Sequence, residues 1–194
     1  MSKRRLIVAT GNAGKLKEIK SILTEYEVVG AKELGLPTDV EENGATFCEN
    51  AAIKARTLKQ LTDCAVLADD SGLCVDALSG APGIFTARYA GENATDDENI
   101  DKMLSVMSGI PHDERTAQFR CAMCFINKQG KEIYGVGSCE GFILEERAGC
   151  GGFGYDPIFY VAEFNQSFGE LSEEQKNRIS HRKRALEDLK QKLG

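Results

Sequence analysis

The sequence predicts an α/β fold built on a mixed sheet, and three observations carry that expectation. Leu6 to Ala9 is a short all-apolar run, the pattern of a strand covered on both faces, and a glycine-containing turn and a helical stripe follow it. Ala65 to Ala68 is a second apolar strand, ending in Asp69-Asp70. Two long β-type runs, Thr116 to Asn127 and Glu132 to Glu145, meet near Gly130, and such a hairpin adds antiparallel strands to the sheet.

The elements follow in order. Met1-Ser2-Lys3-Arg4-Arg5 opens like the basic end of a signal peptide, but the apolar stretch stops at Ala9 and has no cleavage site. It reads as a basic lead into the first strand. Leu16, Ile19 and Leu23 form the buried stripe of the first helix. Thr46-Phe47-Cys48-Glu49 is a capping box; its helix should bury Phe47, Ala51, Ala55 and Leu58, with Asn50 and Lys54 on an adjacent stripe. Thr95-Asp96-Asp97-Glu98 opens another helix, packed through Ile100, Met103, Leu104 and Met107. The C-terminal region should be helical from about Glu173, restarting at Ser180, with a stripe through Leu186, Leu189 and Leu193.

Composition narrows the classes. A chain of 194 residues is most simply one domain over 1–194, and 42% hydrophobic with 28% charged content is the ordinary soluble balance. No apolar run approaches the ~20 residues of a membrane helix, so no membrane partner is expected. Seven cysteines, an odd set without secretory context, point to reduced thiols and a cytoplasmic location. Cys121 and Cys124 form one C-x-x-C, but on a strand they face opposite sides and cannot share a metal. The net charge of −6 argues against a nucleic-acid polymer as partner while leaving room for a nucleotide at a locally basic site. His112, beside Pro111 and Asp113, reads as a solvated loop residue.

Four short signatures carry the chemistry. Thr10-Gly11-Asn12-Ala13-Gly14-Lys15 lies between a strand and a helix, where backbone amides and the helix dipole favour an anion and Lys15 adds a mobile positive charge. It is not a Walker A loop, since two residues separate its glycines and Leu16 follows the lysine. Asp69-Asp70-Ser71-Gly72 puts two carboxylates side by side, an arrangement that calls for a cation. Strand geometry sends the pair to opposite faces, so one can be structural. Magnesium needs only one or two carboxylates besides phosphate and water, and Glu41 or Glu42 could supply the second. Gly152-Phe153-Gly154-Tyr155-Asp156-Pro157 offers aromatic rings between glycines, suited to a flat base. Ser180 can cap the last helix; that places His181 and Arg182 in a first turn where the dipole disfavours cations, and Lys176 joins the basic group. Together they describe a site for a polyanion, a divalent metal and a heterocycle, which is a nucleoside triphosphate.

With these motifs, and with Glu49-Asn50-Ala51, Lys54-Ala55, Gly80-Ala81-Pro82-Gly83 and Ala87-Arg88-Tyr89, the chain closely resembles the inosine triphosphate pyrophosphatase family in its bacterial RdgB-like branch. The resemblance runs nearly end to end. It implies an elongated mixed β-sheet flanked by helices, two lobes around a nucleotide-binding groove, a homodimer and Mg2+ dependence. It also implies hydrolysis of inosine, deoxyinosine and xanthosine triphosphates to the monophosphate and pyrophosphate. Carried over residue by residue, Asp70 is the catalytic carboxylate and a metal ligand, with Glu41 the second ligand and Glu42 a near competitor. Thr10, Gly11, Asn12, Ala13, Gly14 and Lys15, with Ser71 and Lys176, would hold the triphosphate; Phe153, Gly154, Tyr155, Asp156, His181 and Arg182 would form the base pocket. Arg182 is a pure donor, matched to the 6-carbonyl of hypoxanthine and xanthine and mismatched to the amino group of adenine. A Maf-type pyrophosphatase for modified pyrimidines lacks the Ser-His-Arg ending and the Phe-Gly-Tyr-Asp loop. A non-catalytic nucleotide sensor would have no use for paired carboxylates beside a phosphate loop.

Overall fold

Parallel pairing begins at once. In the computed structural model, which describes residues 3–193, strand β1 (Arg4–Val8) leads through a turn into helix α1 (Ala13–Ile22) and back into β2 (Tyr26–Gly30). β1 lies parallel to both β2 and β3 (Ala65–Val75), in the register Leu6↔Val28 and Leu6↔Ala65. Met1 and Ser2 of the basic lead fall outside the described residues. Between β2 and β3 runs α2 (Phe47–Lys59), and the chain continues through α3 (Asp96–Val106), β4 (Thr116–Ile126), β5 (Glu132–Ile143), β6 (Phe159–Val161), β7 (Gln166–Ser167), α4 (Glu173–Ile179) and α5 (His181–Leu193). The sheet order is β2-β1-β3-β4-β5-β6-β7, with β5, β6 and β7 paired antiparallel. The predicted mixed α/β sheet is therefore what forms.

The chain divides into two compact units, one made of residues 1–70, 121–137 and 181–194, the other of 71–120 and 138–180. The first unit has two apolar layers, sorted by the alternation of β3. Ala65 and Leu67 join Leu6, Val8, Ile19, Cys121, Leu186 and Leu189, on the side of α1 and α5. Val66 and Ala68 join Ile7, Ala51, Ala55, Leu58 and Cys124, on the side of α2. The C-x-x-C pair is thus split between faces, as strand register requires, and none of the seven cysteines, all of them among the described residues, is in a disulfide. Burial pushes the Cys124 thiol up to about 11.

Helix α5 lies directly on β5. A Cβ at Gly135 would stand 2.3 Å from the Ala185 carbonyl, and one at Gly137 would stand 2.3 Å from Ala185 N and 2.4 Å from His181 O. β6 pairs with only Phe142 and Ile143 of β5, and α5 covers part of the remainder: Val136 N donates to Asp188 Oδ2, and Lys192 Nζ donates to Tyr134 O.

The second unit buries Leu73, Val75, Ile100, Met103, Met107, Phe119, Phe159 and Phe168 around α3. Its capping box is complete, with Thr95 Oγ1 accepting from Glu98 N and the Glu98 carboxylate accepting from Thr95 N. Arg115, which looks in sequence like a solvated residue, is 2% exposed and donates to the carbonyls of Met107, Ile110, Ile143 and Leu144. One guanidinium satisfies the end of α3 and the end of β5 together. Arg115→Met is expected to cost about 3 kcal/mol in urea unfolding, because those buried carbonyls lose the guanidinium donors, although Met107 O keeps a backbone partner in Ile110 N. Arg115→Lys should recover only part of it, since an ammonium cannot reproduce the planar fork; equal stability of all three proteins would remove this role.

Three local expectations need correction. The Asp69-Asp70 pair does not end its strand: β3 runs through it to Val75, because Leu73 and Val75 are buried in the second core and pull the backbone onward. Asp is a poor strand residue, and here ion pairing overrides that preference. The Thr46 box is half-formed, since Glu49 N does bond to Thr46 Oγ1 but the Glu49 carboxylate takes Ala45 N at 2.6 Å. Phe47 is only half-buried, whereas Asn50 and Lys54 are buried.

Candidate active site

The alternation that sorts the core also sorts the acids. Asp69 follows Ala65 and Leu67 toward α1 and α5; Asp70 follows Val66 and Ala68 toward α2.

On the first face, Asn12 caps α1. Its side chain accepts from Lys15 N at 3.0 Å, while Thr10 Oγ1 accepts from Asn12 N at 3.1 Å. Thr10 to Lys15 therefore end in a helix start, whose leading amides have no intrahelical acceptor. Gly11 packs under Thr38, whose hydroxyl is 3.3 Å from where a Cβ would sit. Lys15 Nζ lies 3.1 Å from Asp69 Oδ2, and Arg182 Nε lies 3.4 Å from the same oxygen. The other end of the Arg182 guanidinium meets the Glu18 carboxylate. Burial alone would push the Asp69 carboxyl up; Lys15, Arg182 and Lys54 outweigh it and hold it well below the usual range. Burial likewise opposes the charge on Arg182, and Glu18 and Asp69 more than restore it. His181 and Arg182 do begin α5, but as buried groups, Arg182 being 1% exposed.

On the second face, Asp70 Oδ2 accepts from Asn50 Nδ2 at 3.2 Å, and Oδ1 lies 3.4 Å from Lys54 Nζ. The same ammonium reaches Glu42 Oε1 at 3.0 Å. Burial raises the Asp70 carboxyl above its ordinary value; Lys54 opposes the shift and the nearby Glu42 charge adds to it. Of the two acids left open by sequence, Glu42 is the one tied to Asp70 through Lys54, while Glu41 is exposed. Two carboxylates sharing one ammonium are a donor set that fits magnesium, which takes its other ligands from phosphate and water. Among the described residues no three His, Cys, Asp or Glu side chains converge as an all-protein cage would need.

The second unit arranges the aromatic loop by itself. Asp156 Oδ2 accepts from Phe153 N at 2.8 Å and from the Lys176 ammonium. Lys176 Nζ stands 4.3 Å from the centre of the Phe153 ring. Gly154 N donates to Asp96 Oδ2 on α3 at 2.7 Å. Tyr155 is placed differently from the expected pair of base-stacking rings: it is buried in the core and donates its hydroxyl to Thr86 O at 2.9 Å. Ser71 follows Asp70 on β3, half-buried.

Sequence reasoning missed Glu18 and the parts played by Asn50 and Lys54. The signal was there in the spacing, since Lys15 and Glu18 share a helical face at i,i+3, and Asn50 and Lys54 share one at i,i+4.

Fold and clusters define the class: an α/β protein with a mixed seven-stranded sheet whose β3 strand carries a buried acid on each face. The chain belongs to the Ham1 family, whose model matches residues 6–192, and the resemblance drawn from its motifs is borne out. It is 50% identical to a dITP/XTP pyrophosphatase of Desulforamulus reducens, over 94% of this chain and 92% of that one. It is 47% identical to one of Bacillus cereus, over 99% and 96%. Among solved structures, the Staphylococcus aureus Ham1 protein superposes with a TM-score of 0.86 at 42% identity, covering 98% of both chains. A nucleoside-triphosphatase / dITP/XTP pyrophosphatase from Mycobacterium abscessus follows with 0.76 at 39%, covering 94% and 97%.

Proposed function

We propose that this chain hydrolyses non-canonical purine nucleoside triphosphates (ITP, dITP and XTP) to the monophosphate and pyrophosphate, over 1–194 as one functional domain. The observation that carries the reading is Asp70: a buried carboxylate of raised proton affinity, oriented by Asn50 and Lys54, in a chain whose near-full-length relatives bear that activity in their names. Asp70 takes the proton of a water that attacks the α-phosphorus, and pyrophosphate leaves. Mg2+, when bound, would supply charge neutralisation on the phosphate oxygens. Asp70 would hold it, with Glu42 or Glu41 as the second carboxylate; the shared Lys54 favours Glu42. Thr10 to Lys15 bind triphosphate through amides and the Lys15 ammonium, with Ser71 and Lys176 assisting. Phe153, Gly154 and Asp156, with His181 and Arg182, read the base, and Tyr155 supports their loop from the core. A homodimer in the cytoplasm completes the reading: the location is supported by seven cysteines in the reduced form and the dimer by the family resemblance. No helix among the described residues is long and apolar enough to cross a membrane.

A panel of nucleoside triphosphates, assayed for pyrophosphate release with magnesium and with chelator, tests it. ITP, dITP and XTP should exceed ATP and the pyrimidine triphosphates by at least about a hundred-fold in kcat/KM, and chelator should stop release. Preference for a modified pyrimidine, or tight binding without release, would replace this reading by one of its rivals.

A further inference from the structure

We propose that Asn50 is a positioning residue whose carboxamide fixes the acidic 41–44 loop against Asp70, and so sets where the carboxylates stand for the cation. The proposal rests on the reading of Asp70 and that loop as the metal-binding end of the site.

The side chain of Asn50 is 1% exposed, so its bonds face little competition from water. Its Oδ1 accepts from Gly44 N at 2.9 Å, while its Nδ2 donates to Asp70 Oδ2 at 3.2 Å. A carboxamide does both from one planar group, with its acceptor and donor on the same carbon. A carboxylate could keep the Gly44 contact but would face Asp70 as a like charge, and an apolar side chain could keep neither. Gly44 is fitted to the same contact, since a Cβ there would stand 2.6 Å from Asn50 Oδ1 and 2.7 Å from Glu49 Cβ. Next along the chain, Ala45 N donates to Glu49 Oε2, and Thr46 Oγ1 accepts from Glu49 N. Three successive residues after the acidic pair are thus tied to the first turn of α2. One turn later, Lys54 binds Glu42 from the same helix and also reaches Asp70. Loop and strand acid are held by the same two side chains, so their separation is a property of α2. Partners of this kind, which orient ligands without being ligands, typically carry about 10–100-fold in metal affinity or activity.

Mn2+ alone is titrated into the full chain without nucleotide, and free Mn2+ is read by its paramagnetic resonance signal. Asn50→Ala is expected to weaken Mn2+ binding about ten-fold and to raise the Mg2+ concentration for half-maximal pyrophosphate release by a similar factor. The KM for ITP at saturating Mg2+ should stay within about two-fold, because Asn50 acts on the carboxylates and not on the nucleotide. A lower melting temperature with unchanged Mn2+ affinity would mark a merely structural residue and overturn the proposal. Should Asn50→Ala fail to fold, Gly44→Ala presses on the same contact, and on the first turn of α2, while keeping the Asn50 carboxamide itself, and the same two outcomes decide. Asp70→Asn separates the layers. If it keeps the parental Mn2+ affinity, the metal-site reading falls; if it loses affinity while Asn50→Ala does not, only the role of Asn50 falls.

Discussion

Asp70→Asn is expected to fold like the parent and to lose about a thousand-fold in turnover at saturating magnesium. The amide keeps the volume and can still accept from Asn50 or Lys54, and Lys54 retains Glu42 as its partner. On the proposed function, what disappears is the charge that would hold a cation and the base that would take a proton. Because burial disfavours the Asp70 charge, its removal should leave the thermal midpoint unchanged or slightly raised. Retention of a tenth of parental turnover would end the catalytic role. Asp69→Asn is the control: its cost should fall on stability, and if it damages turnover per folded molecule more than Asp70→Asn does, the two acids are assigned the wrong way round.

The largest stability loss is expected at Arg182. Arg182→Met removes the guanidinium between Asp69 and Glu18 and leaves two carboxylates buried on the face of α1 and α5. Breaking a buried ion cluster on one side costs about 3–5 kcal/mol, which urea unfolding at neutral pH would register; a loss under about 1 kcal/mol would mean the cluster is hydrated or dispensable. Combining it with Glu18→Gln should return part of the loss, since fewer charges are then stranded. The pH dependence has a definite sign. The folded Asp69 carboxyl sits below its unfolded value of about 3.9, so its contribution is complete above about pH 4 and is lost as pH falls toward the folded pKa. The gap between parent and Arg182→Met should therefore narrow on acidification below about pH 4. The proposed base-reading role is separable from all this. The ratio of specificity constants for ITP and ATP does not depend on how much enzyme is folded, and it should shrink toward unity if the guanidinium reads the 6-carbonyl. Equal losses on both substrates would make Arg182 structural or a phosphate ligand.

Much of the fold was legible because its signals are local. The Leu6 to Ala9 run, the start of the Ala65 run, the Thr95 capping box and the break at Ser180 each place an element boundary within a residue or two of where it forms. The strand parity of Cys121 and Cys124 gave their split between layers, and the same rule separated Asp69 from Asp70. What stayed hidden depends on contacts between segments distant in sequence. Asn50, Lys54, Arg115 and Glu18 are polar residues that a helical wheel or a loop assigns to solvent, and each is buried because its partner arrives from elsewhere in the chain. The extension of β3 through its two acids belongs to the same class, for only the ions waiting on each side make that stretch of strand acceptable. Tyr155 erred in the opposite direction: flanking glycines suggest an open platform, whereas the ring fills the core and its hydroxyl has a carbonyl to meet.

Gly135 and Gly137 allow α5 to rest on β5 backbone to backbone, and Arg182 rides on the opening turn of that helix. The depth to which its guanidinium enters is therefore dictated by two missing methyl groups on another strand. Such positions carry no charge, no donor and no ring, so a survey of chemically gifted residues passes over them. They nonetheless act as a spacer gauge for one of the most deeply placed cations in the molecule: a methyl at either position would push the opening of α5 off the strand and lift that cation while leaving every polar residue in place.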